Sequence, residues 1–422
     1  MRANNINLNK LLKYIMVLSV LYFSQTGVIT YAKYPKYSNY VMILSFLFVM
    51  IVFALKVIYL KIGIPAWAVW WGIICILLYM ITMIITEDYR TGYILLVMNI
   101  LLGIAFCSIY SREEFYQIFV NCMVGISILG MVSSYILLPF LKSGIPVISN
   151  ESAQYYDLVL SYQIIIPEKN RLNIVWTEPG VVAVYLSFAL ILALFLTKKV
   201  RVWKKAVLLL AMICTQSSSG YVFMILILGT WFIEKVVNRT DIKKMIMLVC
   251  AMVVGAITLS IVFANELSII LDKFNWYSME FIGRFGPIVY NLDRGIHSPL
   301  WGWGFQEGRF YLKYSFYTGT LFCNTSTTTQ LFHYFGIIIP MFTVIASFLI
   351  AGTKKTKWYI RILLTFILLL SVNFESLVLD QIYTVFLFSI FMKGEGQEYE
   401  DSLDKFNSNS SGMQSIRTSI QL

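Results

Sequence analysis

The chain has 422 residues, of which 59% are hydrophobic and 13% are charged, and its formal net charge is +11. A soluble domain carries roughly 25% charged residues, so the composition excludes an ordinary soluble protein and indicates repeated membrane spans. The basic residues cluster in short segments between apolar runs, where they set membrane orientation, and this distribution argues against a nucleic-acid partner.

The apolar runs predict an all-α fold, a polytopic transmembrane helical bundle of about twelve segments. The predicted segments, in chain order, are 11–30, 40–60, 65–85, 92–110, 117–138, 178–196, 206–214, 221–233, 245–265, 329–350, 358–374 and 376–392. A cleaved signal peptide is the alternative for the first run, but the membrane-embedded remainder favours a retained span. Residues 1–392 therefore form one integral membrane domain, followed by a polar tail, 393–422, predicted to be disordered and cytoplasmic.

Basic segments give the orientation of this bundle. Residues 198–205, 235–244 and 354–357 carry the lysines and arginines expected on the cytoplasmic side. The turn 86–90 and two large loops, 139–177 and 266–328, then lie outside the cell, and both termini are cytoplasmic. We expect a multi-pass protein of the bacterial plasma membrane, with the lipid bilayer as its surroundings.

A polar stretch, Thr215–Gly220, interrupts the apolar residues 206–233, and we call it the serine turn. A single helix through it would put Lys235 outside, against the positive-inside tendency, whereas two short legs keep both basic flanks inside. The first leg rises only about 21 Å, so the turn would lie within the hydrocarbon layer, where polar backbone lines a cavity or is buried in protein. Its members Ser217, Ser218, Ser219 and Gly220 are therefore candidate substrate-binding residues.

The end of the first outer loop offers two further candidates. Pro179 suits the first position of a helix, with Thr177 or Glu178 near the cap. Glu178 is either an acid placed favourably at a helix N-terminus or a catalytic base or positioning carboxylate. Arg171 is either a headgroup anchor or an anion ligand. The residues alone leave both pairs of alternatives open.

The second outer loop combines cations with aromatic residues. Arg284 and Arg309 are candidate phosphate ligands, because a guanidinium offers bidentate contacts, although Arg284 would also pair with Glu280 on a helix. Trp301 and Trp303 lie in a tight turn, where they would contact apolar ligand faces or anchor the chain at the membrane interface.

Other polar residues of the chain are expected to be structural. Arg294 neighbours Asp293, the histidines His297 and His333 stand alone, and the six cysteines show no paired spacing. No metal-ligand spacing is present either, so no metal or other cofactor is expected.

Five motifs, in this order, resemble the O-antigen polymerase and ligase superfamily of bacterial membrane glycosyltransferases, over roughly residues 165–340. They are Arg171 with Glu178-Pro179-Gly180, then Ser217-Ser218-Ser219-Gly220, Gly283-Arg284, Pro299-Leu300-Trp301-Gly302-Trp303-Gly304, and Asn324-Thr325-Ser326 leading to Phe335-Gly336-Ile337. Ligase-like members carry a His-Asn pair at the last motif, where this chain has Cys323-Asn324, and this difference favours a polymerase.

The resemblance implies a metal-independent enzyme that joins polyprenyl-pyrophosphate-linked oligosaccharide repeat units on the outer face of the membrane, for a capsule, an exopolysaccharide or O-antigen. Arg171, Arg284 and Glu178 are then the expected catalytic residues, and Arg309, the serine turn, Trp301, Trp303 and Asn324 bind substrate. Flippase and chain-length regulator proteins are the implied protein partners. The alternatives are ligase-like transfer to another acceptor, a flippase for the same lipid, and a non-catalytic assembly subunit.

Overall fold

A computed structural model describes residues 2–33, 35–141, 144–149, 154–158, 160–165, 171–197, 200–237, 279–305, 309–311, 321–323, 326–353 and 356–394. The helices are α1 (Arg2–Tyr22), α2 (Ser38–Leu60), α3 (Ala66–Ile85), α4 (Gly92–Ile109), α5 (Arg112–Met131), α6 (Leu138–Leu141), α7 (Pro179–Ile191), α8 (Val202–Cys214), α9 (Ser218–Val237), α10 (Met279–His297), α11 (Thr327–Phe335), α12 (Ile338–Ile350), α13 (Trp358–Val372) and α14 (Gln381–Phe388). The strands are β1 (Val147–Ser149), β2 (Gln154–Asp157), β3 (Tyr162–Ile164), β4 (Leu172–Ile174), β5 (Arg309–Tyr311) and β6 (Leu321–Cys323).

Six of the described helices are long and apolar enough to cross a membrane. They cover Ser38–Leu60, Ala66–Ile85, Gly92–Ile109, Arg112–Leu141, Pro179–Leu196 and Ser218–Val236, and three shorter apolar helices cover Ile338–Ile350, Trp358–Val372 and Gln381–Phe391. The prediction of a helical, membrane-embedded protein is confirmed. The predicted span 245–265 lies outside the described residues, so the count of twelve segments stays a prediction.

Helix α7 is the centre of the bundle. All of its residues, Pro179 to Ile191, are buried, and α5, α8, α9 and α13 pack around it. A helix that is apolar on every face is stable only when protein or lipid surrounds it completely. Helix α2, by contrast, has few buried residues and exposes apolar side chains such as Leu44 and Ile58, as expected for a helix that faces lipid.

Several predicted spans have different boundaries in the structure. Helix α1 ends at Tyr22, whereas the first span was expected to continue to residue 30. The predicted span 329–350 is broken into α11 and α12 at Gly336, which has a φ of 71°. This left-handed conformation favours glycine, and a Cβ at Gly336 would lie only 2.2 Å from the carbonyl oxygen of Leu300.

The two large loops contain regular structure that the all-α prediction lacked. Strands β1–β4 of the first loop form an antiparallel sheet in the order β1-β2-β3-β4. Ile174 of β4 packs against Gly130 of α5, and Val28 donates its N–H to the carbonyl of Val175 at 2.9 Å, so the sheet is attached to the bundle. The second loop contains helix α10 and the hairpin β5–β6.

Helices α8 and α9 form the hairpin that the two-leg prediction required. The hydroxyl of Tyr221 donates to the carbonyl of Ile213 at 3.2 Å, across the turn. At the other end of the hairpin, Lys205 and Lys235 are close enough for their charges to repel. The basic flanks of both legs therefore lie at one end of the bundle. The turn itself is shorter than expected, because Ser218, Ser219 and Gly220 already belong to α9.

Cysteine labelling with an impermeant maleimide on intact cells checks the orientation of this hairpin. In a cysteine-free background, Lys235→Cys is expected to react only after the membrane is permeabilised, because its basic surroundings favour the cytoplasm. Tyr89→Cys is the matched control: Tyr89 is 71% exposed in the turn between α3 and α4 and should react from outside. Ready labelling of Lys235→Cys on intact cells would contradict the orientation.

Candidate functional site

The N-terminus of α7 has the cap that the sequence predicted. Glu178 is the N-cap residue and Pro179 occupies the first helical turn, where its missing N–H costs no hydrogen bond. The Glu178 side chain makes no cap hydrogen bond and is exposed. A carboxylate at this position stabilises the helix by its interaction with the helix dipole. This stabilising role is enough to explain a glutamate at position 178, without a catalytic role.

Arg171 connects the first outer loop to the serine turn. Its Nη2 donates to the carbonyl oxygen of Gln216 at 2.7 Å. Gln216 has a φ of 47°, a conformation that directs the chain from α8 into α9. The first motif is therefore in direct contact with the serine turn, at the residue that precedes the second motif and lies forty-five residues along the chain.

The serine turn packs directly on α7. The hydroxyls of Ser217 and Ser219 are buried and share a hydrogen bond of 2.8 Å. A Cβ at Gly220 would lie 3.0 Å from the Cβ of Ala183 and 3.2 Å from Oγ1 of Thr215. Glycine thus allows the first turn of α9 to approach α7 as closely as it does.

A second acidic residue lies at the N-terminus of α7. A Cβ at Gly180 would lie 1.9 Å from Oε1 of Glu375, so the carboxylate rests directly on the backbone of this glycine. Glu375 is only 4% exposed. Because Gly180 and Ala183 are three residues apart on one helix face, Glu375 and Gly220 contact the same side of α7, one turn apart.

The connection 373–380 between α13 and α14 binds the N-terminus of α11. Oδ1 of Asn373 accepts hydrogen bonds from Oγ of Ser326 at 2.8 Å and from the N–H of Thr328 at 3.0 Å. Oγ1 of Thr327 donates to the carbonyl oxygen of Glu375 at 2.6 Å. The helices α7, α9 and α11 therefore begin at one cluster, which we call the polar junction: Arg171, Gly180, Gln216–Gly220, Ser326–Thr327 and Asn373–Glu375.

Sequence-based prediction missed Asn373 and Glu375. The expected spans 358–374 and 376–392 left only residue 375 between them, whereas α13 ends at Val372 and α14 begins at Gln381. A signal was present, because an amide and a carboxylate within an otherwise apolar run are costly in a membrane and usually functional.

Helix α10 of the second outer loop also reaches the polar junction. Phe285 of α10, the residue after Arg284, lies 6.1 Å from Phe374 between ring centroids, and Phe374 lies 5.9 Å from Phe223 of α9. For Arg284 and Arg309 the structure describes the backbone only, in α10 and β5. Asn324 lies outside the described residues.

Trp301 and Trp303 pack away from the polar junction. The main-chain N–H of Trp303 donates to the carbonyl oxygen of His333 at 2.9 Å, near the C-terminus of α11. The polar junction, by contrast, contains the N-terminus of α11. The two ends of this helix are about 12 Å apart at 1.5 Å per residue. The Trp303 ring lies 4.5 Å from the Arg294 guanidinium, a cation–π contact, and Trp301 is 37% exposed. The structure does not bring the tryptophans and the serine turn together.

Both histidines have the local partners that a structural role requires. Nδ1 of His333 lies 2.9 Å from Oδ1 of Asn291, in a fully buried pair between α10 and α11. Nδ1 of His297 lies 2.7 Å from the carbonyl oxygen of Asp293, one helical turn earlier.

The polar junction combines groups of both charges. Three helices direct their N-termini, with partial positive charge, at this cluster, Arg171 adds a full positive charge, and Glu375 adds a carboxylate. Within the described part of the chain, no group of three or more His, Cys, Asp or Glu residues is arranged to hold a metal ion. The Arg171 guanidinium is the group here suited to phosphate oxygens, because the N–H groups of Thr328 and Thr329 already donate to Oδ1 of Asn373.

Comparisons with protein-family models, curated proteins and solved structures find no match to this chain.

Proposed function

We propose that this protein is a membrane glycosyltransferase that polymerises polyprenyl-pyrophosphate-linked oligosaccharide repeat units at the outer face of the bacterial plasma membrane. The observation that carries the proposal is the bond from Arg171 to Gln216, which joins the first motif to the serine turn, directly before the second motif and the start of α9. Both termini are cytoplasmic in this proposal, and the polar junction faces outward.

The chemistry of such a reaction suits the polar junction. A glycosyl pyrophosphate carries its own leaving group, so the enzyme needs fixed positive charge where negative charge develops, and a base for the acceptor hydroxyl. Arg171 and the three helix N-termini supply positive charge, and Arg284, on the helix whose Phe285 contacts Phe374, is assigned to the same pyrophosphate. No metal ion is required for this role.

The remaining predicted residues have secondary roles in the proposal. The hydroxyls of Ser217 and Ser219 bind phosphate or sugar oxygens, and Ser218 and Gly220 maintain the start of α9. Arg309, Asn324, Trp301 and Trp303 bind the saccharide beyond the reacting pyrophosphate. The tryptophans are assigned to a more distant sugar, because they pack at the other end of α11. Flippase and chain-length regulator proteins remain the proposed partners.

A cell-free assay tests the function. Purified protein in lipid vesicles, supplied with lipid-linked repeat units and EDTA, is expected to produce a ladder of longer saccharides and free polyprenyl pyrophosphate. Transfer to a different acceptor without chain growth would identify a ligase instead. Movement of the intact lipid-linked saccharide across the bilayer without new glycosidic bonds would identify a flippase. If there is neither saccharide transfer nor lipid movement, the protein is a non-catalytic assembly subunit. Any of these three results would overturn the polymerase proposal.

A further inference from the structure

We infer that Glu375, rather than Glu178, is the catalytic base that removes the proton from the acceptor hydroxyl. This inference rests on the proposed function and adds to it a residue outside the five motifs. Its basis is the position of the Glu375 carboxylate, against Gly180 and within one turn of the site where Gly220 packs on Ala183.

Three elements hold Glu375 in position. Its main-chain carbonyl accepts from Oγ1 of Thr327, and the same oxygen of Thr327 accepts from the N–H of Leu377 at 2.8 Å. The neighbouring Phe374 packs between Phe223 of α9 and Phe285 of α10. Helices α9, α10 and α11 thus fix the chain at Glu375, and its carboxylate rests on Gly180 of α7, which is the rigid support that a catalytic group needs.

The other candidate carboxylates fit the role less well. Glu178 is exposed to solvent at the N-cap of α7. Asp380 is fully buried, but its oxygens accept from Thr26 at 2.7 Å, from Tyr185 at 2.6 Å and from the N–H of Ile382, so it caps α14. Of these three described carboxylates, Glu375 alone is both buried and adjacent to the serine turn.

The step balances without a further reactant. The acceptor O–H bond breaks and its proton passes to a carboxylate oxygen of Glu375, while the acceptor oxygen forms a bond to the anomeric carbon. The bond from that carbon to the pyrophosphate oxygen breaks, and its electron pair leaves with polyprenyl pyrophosphate.

Purified variants in the vesicle assay test this assignment. Glu375→Gln keeps the side-chain shape and is expected to lower kcat by about a hundredfold to ten-thousandfold, with little change in KM. Glu375→Ala should recover at least roughly tenfold in rate when formate is added, because the small carboxylate replaces the missing base. Glu234→Gln, at the far end of α9, is the control and should behave as wild type.

Several outcomes would overturn the assignment. A nearly normal kcat in Glu375→Gln would do so, and so would a Glu375→Ala variant that formate does not rescue. A larger decrease of kcat in Glu178→Gln than in Glu375→Gln would assign the base to Glu178 instead. Size-exclusion and thermal-unfolding profiles establish that each variant is folded. If neither substitution folds, Glu375→Asp moves the carboxylate by one methylene, and an unchanged kcat in that variant would also overturn it. An inactive wild type would instead reject the proposed function.

Discussion

Arg171→Lys is expected to reduce polymer formation by roughly a hundredfold or more at normal protein level in the membrane. Lysine keeps the positive charge but loses the planar, bidentate donors that a pyrophosphate oxygen pair would bind. Loss of one such contact in a partly desolvated site costs roughly 2–4 kcal/mol of transition-state stabilisation, by analogy with single oxyanion donors. Arg284→Lys is expected to have a similar effect, measured as polymer in cells against an immunoblot of membranes.

Arg361→Lys is the matched control for Arg171→Lys. Nη2 of Arg361 donates to the carbonyl of Gly352 at 2.8 Å, almost the same bond that Arg171 makes to Gln216, but in the first turn of α13, away from the polar junction. Loss of such a bond alone affects stability, by about 1.5–3 kcal/mol, and therefore protein level. If Arg171 is only a structural link, Arg171→Lys and Arg361→Lys should change the protein level to the same extent, and neither should change the turnover of the protein that remains. Normal polymer in both Arg171→Lys and Arg284→Lys would reject the pyrophosphate contact.

Gly220→Leu is expected to abolish activity while the protein still inserts in the membrane. At this position even a Cβ would lie 3.0 Å from the Cβ of Ala183, so a leucine side chain must separate α9 from α7. Overpacking of this kind costs about 1–3 kcal/mol, which leaves a large helical bundle folded but displaces Ser217 and Ser219 from their buried positions. Polymer formation in cells and the membrane level of the variant are the measurements.

Gly229→Leu on the same helix provides the control. Apart from the adjacent main chain of α9 itself, no atom of the described residues lies within 4 Å of the position where a Cβ on Gly229 would be, so the larger side chain finds open space there. We expect this variant to polymerise normally, which separates the effect of leucine in α9 from its effect at the polar junction. Full activity of Gly220→Leu would show that the serine turn only connects α8 to α9 and has no role in substrate binding.

The local features of the candidate site were predictable because short-range chemistry controls them. Pro179 indicated the start of α7 because proline suits the first helical turn, and the basic flanks of 206–233 required a hairpin. The strands of the 139–177 loop were not predictable, because they are three or four residues long and depend on pairing with one another. The break at Gly336 was likewise hidden within an apolar run.

The sequence by itself determined the class of protein, since hydrophobic runs long enough to span a bilayer leave no soluble alternative. It also determined which residues carry charge at the ends of those runs, because each ion in hydrocarbon is costly. Only the tertiary structure decided which of these residues meet. Arg171 contacts Gln216 across forty-five residues, and glycines at 180 and 220 let the connection that carries Glu375 and the start of α9 approach α7 closely. Such contacts join distant parts of the chain and follow from packing, which no local pattern encodes.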